Sequence, residues 1–180
     1  MKKGMAVILV ICLLFSVPGC AVLEDAASLL DPKEAVFTVE RFPMQITADS
    51  TYRESTGGEF DLQITNRRSY ISIMAYAYTD LPSGVTVSDV YDMQNEDLFS
   101  KRTAVTVIEE AKTQTTPQYV RTYALYSAEK DGVKNYYGTY MIDFPNEEIF
   151  AWVLFSATPS YFESNRDFLH SIVCSLTTTA

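Results

Sequence analysis

Histidine, cysteine and positive charge are all scarce in this chain, and each scarcity removes a class of chemistry. His170 is the only histidine in 180 residues. A Ser-His-Asp or Cys-His arrangement would have to recruit it as base, yet no G-x-S-x-G elbow presents a serine to it. A histidine-rich metal site has no second imidazole to draw on, and no D-x-D-x-D-G loop offers a calcium cage. The seven glycines form no phosphate-cradling loop, since Gly57-Gly58 stands alone. The three cysteines, Cys12, Cys20 and Cys174, lack zinc or redox spacing. Basic residues number 14 against 23 acids, a net charge of -9 and a pI near 4.6. Nucleic acid and anionic headgroups both require a basic face, so neither is an expected partner. No catalytic residue, metal or cofactor is expected from this inventory.

Long apolar runs are also missing, apart from one at the amino terminus. Met1-Lys2-Lys3 is a short positive region, followed by an apolar stretch from Met5 to Val17. That stretch suits a secretory signal core and falls short of the ~20 residues of a membrane-spanning helix. It closes on Val17-Pro18-Gly19-Cys20, which resembles a bacterial lipoprotein lipobox, and no A-x-A site precedes the cysteine. The resemblance implies cleavage before Cys20, with diacylglycerol on its thiol. Residues 1–19 are then a signal peptide and residues 20–34 a lipid-anchored tether. The exported chain is left with 12 basic and 23 acidic residues, a net of -11. Its expected location is extracytoplasmic, on the outer face of a bacterial membrane through lipid on Cys20. The plasma membrane is favoured and an outer membrane left open. Leu23, Ala26, Ala27 and Leu30 fall at helical spacing before Pro32, so a short helix in the tether either packs on the domain or holds it off the bilayer. Cys174, beside Val173 on an apolar helix end, reads as a buried, inert thiol.

Residues 35–177 read as a single α+β domain, with 178–180 as a tail. Strands are expected at 35–39, 44–51, 60–64, 70–78, 104–111, 119–128, 133–144 and 149–155. In the fourth, Ile71, Ile73 and Ala75 alternate with Tyr70, Ser72, Met74 and Tyr76, so both faces are largely apolar. A strand apolar on both sides must be covered on both sides. Thr86-Val87-Ser88-Asp89 predicts a capped helix over 88–101, with Val90, Tyr91, Leu98 and Phe99 inward. Asp131-Gly132 predicts a tight hairpin. Thr158-Pro159 opens a closing helix with Phe162, Leu169, Ile172 and Val173 as its buried stripe. Tyr119, Tyr123, Tyr126, Tyr136, Tyr137 and Tyr140 crowd one hairpin, where tyrosine suits either a recognition surface or a half-covered strand.

This order resembles the PsbP-like superfamily, on Phe37-Thr38-Val39 with Phe42-Pro43, on the hairpin from Tyr123 to Tyr140, on the Phe150–Phe155 strand and on the terminal Phe168-Leu169-x-x-Ile172-x-x-Ser175-Leu176. The resemblance covers residues 35–176. It implies an α/β/α sandwich around a mostly antiparallel sheet of six or seven strands. It also implies a non-catalytic binding or assembly role, with a protein or cell-envelope component as partner. The alternative is an envelope hydrolase acting on glycans through paired carboxylates. Glu109-Glu110 and Glu147-Glu148, being adjacent, point to opposite faces of a strand and read as solvated charges.

Overall fold

The computed structural model describes residues 33–55 and 58–179. The expected signal peptide, the tether up to Pro32 and Cys20 lie outside those residues. The described elements are β1 (Glu34–Val39), β2 (Met44–Asp49), β3 (Arg53–Glu54), β4 (Leu62–Thr65), β5 (Ser69–Ala77), α1 (Val87–Ser100), β6 (Thr103–Thr115), β7 (Val120–Lys130), β8 (Val133–Phe144), β9 (Ile149–Ala157), α2 (Pro159–Cys174) and β10 (Thr177–Thr178). Seven strands form an antiparallel sheet in the order β3-β4-β5-β9-β8-β7-β6, and three form a smaller one, β1-β2-β10.

Strand β9 sits between β5 and β8, and its side chains divide the core. Ile149, Ala151, Val153 and Phe155 join a cluster with Leu169, Ile172 and Val173 of α2, together with Met44 and Ile46 of β2. Phe150, Trp152 and Leu154 join Val90, Tyr91 and Leu98 of α1. The two-residue period of a strand therefore sends alternate side chains to opposite layers, α1 on one side and α2 with the small sheet on the other. This is the expected α+β sandwich, with seven strands in its main sheet. The apolar alternation of β5 has the same cause: Ile71, Ile73 and Ala75 face the α2 layer, and Met74 and Tyr76 the α1 layer.

Local chemistry sets the ends of each element. The Thr86 N–H donates to Asp89 Oδ2 at 2.7 Å, and the Asp89 N–H donates to Thr86 Oγ1 at 3.2 Å, completing the capping box of α1. Thr158 precedes Pro159 at the start of α2, but its side chain makes no capping hydrogen bond. Within α2, Asn165 departs from helical geometry at φ -134° and ψ 20°. Asp131 and Gly132 take φ values of 53° and 75°, the left-handed pair that a two-residue hairpin demands. Three features depart from expectation. β6 continues four residues beyond Ala111, to Thr115. Arg53–Glu54 pairs with β4. Thr177 and Thr178, at the boundary of the expected tail, pair with Gln45 and Met44 of β2. Two-residue ladders carry no periodicity, so only their neighbours reveal them.

Candidate functional site: clefts on the two faces of the sheet

Helix α1 has 14 residues, about 21 Å of length. It lies against β8 and β9 and leaves part of the same face uncovered, over β4, β5 and the adjoining stretches of β9 and β8. The resulting groove has a volume of about 610 Å³. Tyr70, Ser72 and Met74 of β5 and Trp152, Leu154 and Ser156 of β9 line its floor, with Gln94, Asp97 and Leu98 of α1 along one wall. Tyr70 stands 48% exposed at the opening, whereas Trp152 is buried and donates from Nε1 to Asn95 Oδ1 at 3.3 Å. Two amides are steadied from inside the fold: Gln63 Nε2 donates to Ser72 Oγ at 2.9 Å and Gln94 Nε2 to Tyr76 Oη at 3.0 Å. The Arg102 guanidinium lies 4.8 Å over the Tyr137 ring and donates to the Leu98 carbonyl.

The second cleft, about 300 Å³, opens on the α2 side among Glu109, Lys112, Tyr123, Tyr140, Arg166 and His170. Tyr123 stacks on Tyr140 with centroids 5.4 Å apart. The Tyr140 hydroxyl and His170 Nδ1 share a hydrogen bond at 2.9 Å. Burial pushes the Tyr140 phenol far up and holds the His170 imidazole below its ordinary value, the second effect reinforced by the nearby Arg121 charge. Arg121 is itself buried, packs over the Tyr119 ring at 5.2 Å and donates to Gln114. Cys174 is half-buried, and burial raises its thiol although Arg121 pulls the other way.

Glu109 corrects the reading of that residue as a solvated charge. Burial alone would raise its carboxyl, but the hydrogen bond and charge of Arg166 and the charge of Lys112, 3.6 Å away, outweigh it and leave the group below the usual range. The ion pair ties β6 to α2 across the cleft. Nothing within β6 signals this, because Arg166 lies on a helix far along the chain. Glu110, Glu147 and Glu148 are exposed, as expected.

Acid chemistry is divided between the faces. Asp143, on the α1 side of β8, accepts from Tyr78 Oη at 2.7 Å, and burial raises its carboxyl despite that bond. Glu109 looks out from the opposite face, so a raised and a lowered carboxyl do not share a cleft. The hydrogen bond of His170 is to the Tyr140 hydroxyl, and Ser171 Oγ donates to the Phe168 carbonyl. Among the described residues there is no group of three or more His, Cys, Asp or Glu placed to hold a metal ion. No described helix is long and apolar enough to cross a membrane. Of the six crowded tyrosines, Tyr137 and Tyr140 are buried and the other four partly so, most of them against aromatic partners.

No family model matches the sequence, and no curated protein does. Solved structures match by fold. A cyanobacterial PsbP (CyanoP) from Synechocystis sp. PCC 6803 aligns with a TM-score of 0.58 at 10% identity, covering 82% of this chain and 93% of that one. The Ran-binding protein Mog1p of Saccharomyces cerevisiae gives 0.57 at 8% identity, over 83% and 97%. LpqN of Mycobacterium tuberculosis, described as involved in cell envelope biogenesis, gives 0.57 at 10% identity, over 83% and 86%. At such identities the likeness concerns the fold alone.

Proposed function

The described chain folds as a PsbP-like domain, and from that premise we propose that the protein is a non-catalytic binding or assembly domain held outside the cytoplasm by lipid on Cys20. The observation that carries the binding role is the 610 Å³ groove beside α1, a concave, aromatic-lined surface whose two acids, Glu59 and Asp97, are matched by Arg102 and Lys130. The anchoring role rests on Val17-Pro18-Gly19-Cys20 behind a short apolar core. Residues 1–19 serve as the signal, 20–34 as the tether and 35–177 as the domain that meets a protein or envelope partner. Mog1p, a Ran-binding protein, and LpqN, involved in cell envelope biogenesis, supply scaffold-level support by analogy. Glu109 and Asp143, on opposite faces, form no carboxylate pair for glycan hydrolysis.

Two experiments test the two halves. Cys20→Ser in cells fed labelled palmitate is expected to abolish incorporation and release the protein from the membrane fraction; unchanged labelling would overturn the anchor. A photo-crosslinking residue in place of Tyr70 is expected to yield a discrete adduct on intact cells, and the same residue in place of exposed Glu163 on α2 none. Equal adducts at both positions would remove the groove from the binding role.

A further inference from the structure

We infer that the groove beside α1 takes a neutral oligosaccharide. This deepens the binding role proposed above and rests on it. Charge supplies the first argument. The whole chain is strongly acidic, yet the groove sets Glu59 and Asp97 against Arg102 and Lys130, so its formal charges cancel. Such a surface offers no net attraction to a phosphate, a carboxylate or a cationic peptide.

The polar groups supply the second. Apart from those four charges and the Trp152 N–H, already bonded to Asn95, the lining polar side chains include the amides of Gln63, Gln94 and Asn135 and the hydroxyls of Ser72, Ser156 and Tyr70. Each can both donate and accept, as a sugar hydroxyl does. The inward bonds of Gln63 and Gln94 each use one amide N–H, leaving their carbonyl oxygens for a ligand. Between these groups lie Met74, Leu154 and the half-exposed Tyr70 ring, an apolar ground on which the C–H face of a pyranose can rest.

Strand pairing supplies the third. The strands under the groove, β4, β5, β9 and β8, are each paired on both sides. The backbone groups of the floor are largely spent, and only the two-residue β3 beyond β4 is left as an edge for an extended peptide. Recognition falls to side chains, which suits a ligand rich in its own hydroxyls.

Trp152 makes the inference measurable, because it is the only tryptophan and lines the groove. The full-length chain in detergent would be titrated with neutral tetrasaccharides of β-1,4-linked glucose, β-1,4-linked N-acetylglucosamine and α-1,6-linked mannose. A saturable change in tryptophan fluorescence with at least one of them is expected. Tyr70→Ala and Asn135→Ala should each weaken it about fivefold, the order expected for one lost hydrogen bond or ring contact. Their melting curves should match the parent, since Tyr70 and Asn135 reach solvent. No saturable change with any tetrasaccharide would overturn the inference. If the Tyr70 crosslinker still gives its discrete adduct on cells, the binding role survives and only the ligand class fails. If that adduct is absent too, both fall.

Discussion

At the scale of single residues, the sheet leaves some positions no latitude. Gly138 of β8 lies under Phe155 of β9, and a Cβ there would come within 2.2 Å of the Phe155 ring. Gly138→Ala is expected to cost about 2 kcal/mol or more in urea denaturation, the order of overpacking a dense core. Phe155→Leu combined with it should recover part of that loss, because contacting residues are not additive. His170 makes a different prediction. Burial, helped by the charges of Arg121 and Arg166 and opposed by those of Asp167 and Glu109, holds its imidazole below its ordinary value in the folded chain. As pH falls below about 6.5 the unfolded state therefore takes up a proton first, and stability declines on acidification. In His170→Gln that part of the pH dependence should vanish above about pH 4.5, where the ordinary carboxylates begin to protonate. A curve unchanged by the substitution would show that another group sets it.

At the scale of elements, the two helices start by different means. Thr86 and Asp89 exchange hydrogen bonds with each other's backbone, whereas Thr158 leaves its side chain uncommitted and α2 relies on Pro159. Thr86→Ala is expected to lower stability by about 1 kcal/mol. Thr158→Ala should stay within about 0.5 kcal/mol, as surface substitutions away from a cap usually do. Strand β6 shows how an edge is kept from pairing further. It exposes Val105, Val107 and Ile108, but its ladder with β7 shifts register three times along the strand. Bulges of this kind twist an edge out of the flat form another strand would need. The Glu109–Arg166 pair holds the middle of that edge to α2.

At the scale of the molecule, the chain closes on itself near its carboxyl end. Ser175 Oγ accepts from the Thr47 N–H at 2.8 Å and donates to the Thr47 carbonyl at 3.0 Å. Thr177 and Thr178 then pair antiparallel with β2, and the Thr179 N–H donates to the Pro43 carbonyl at 2.7 Å. A chain ending at Leu176 is expected to lose amide protection in β2 while the seven-stranded sheet keeps its own, as read by hydrogen exchange. Equal loss in both sheets would mean that the small sheet is integral to the main core.

Much of the architecture is local, and the sequence by itself determined it. Alternation in β5 and the unbroken apolar run of β9 required a layer on each face, because strand side chains point alternately to opposite sides. Phe162, Leu169, Ile172 and Val173 marked the buried stripe of α2 by helical spacing, and Asp131-Gly132 marked its hairpin by backbone conformation. Only the tertiary structure decided which strands meet. The insertion of β9 beside β5, the joining of Glu109 to Arg166 and the capture of Thr177–Thr178 by β2 all link segments distant in sequence. Their partners are chosen by packing and leave no period behind. The groove beside α1 is of this kind: it exists because a helix of that length covers only part of its face of the sheet and leaves side chains of β4, β5, β9 and β8 to line a cleft beside it, a matter of shape that no single stretch records.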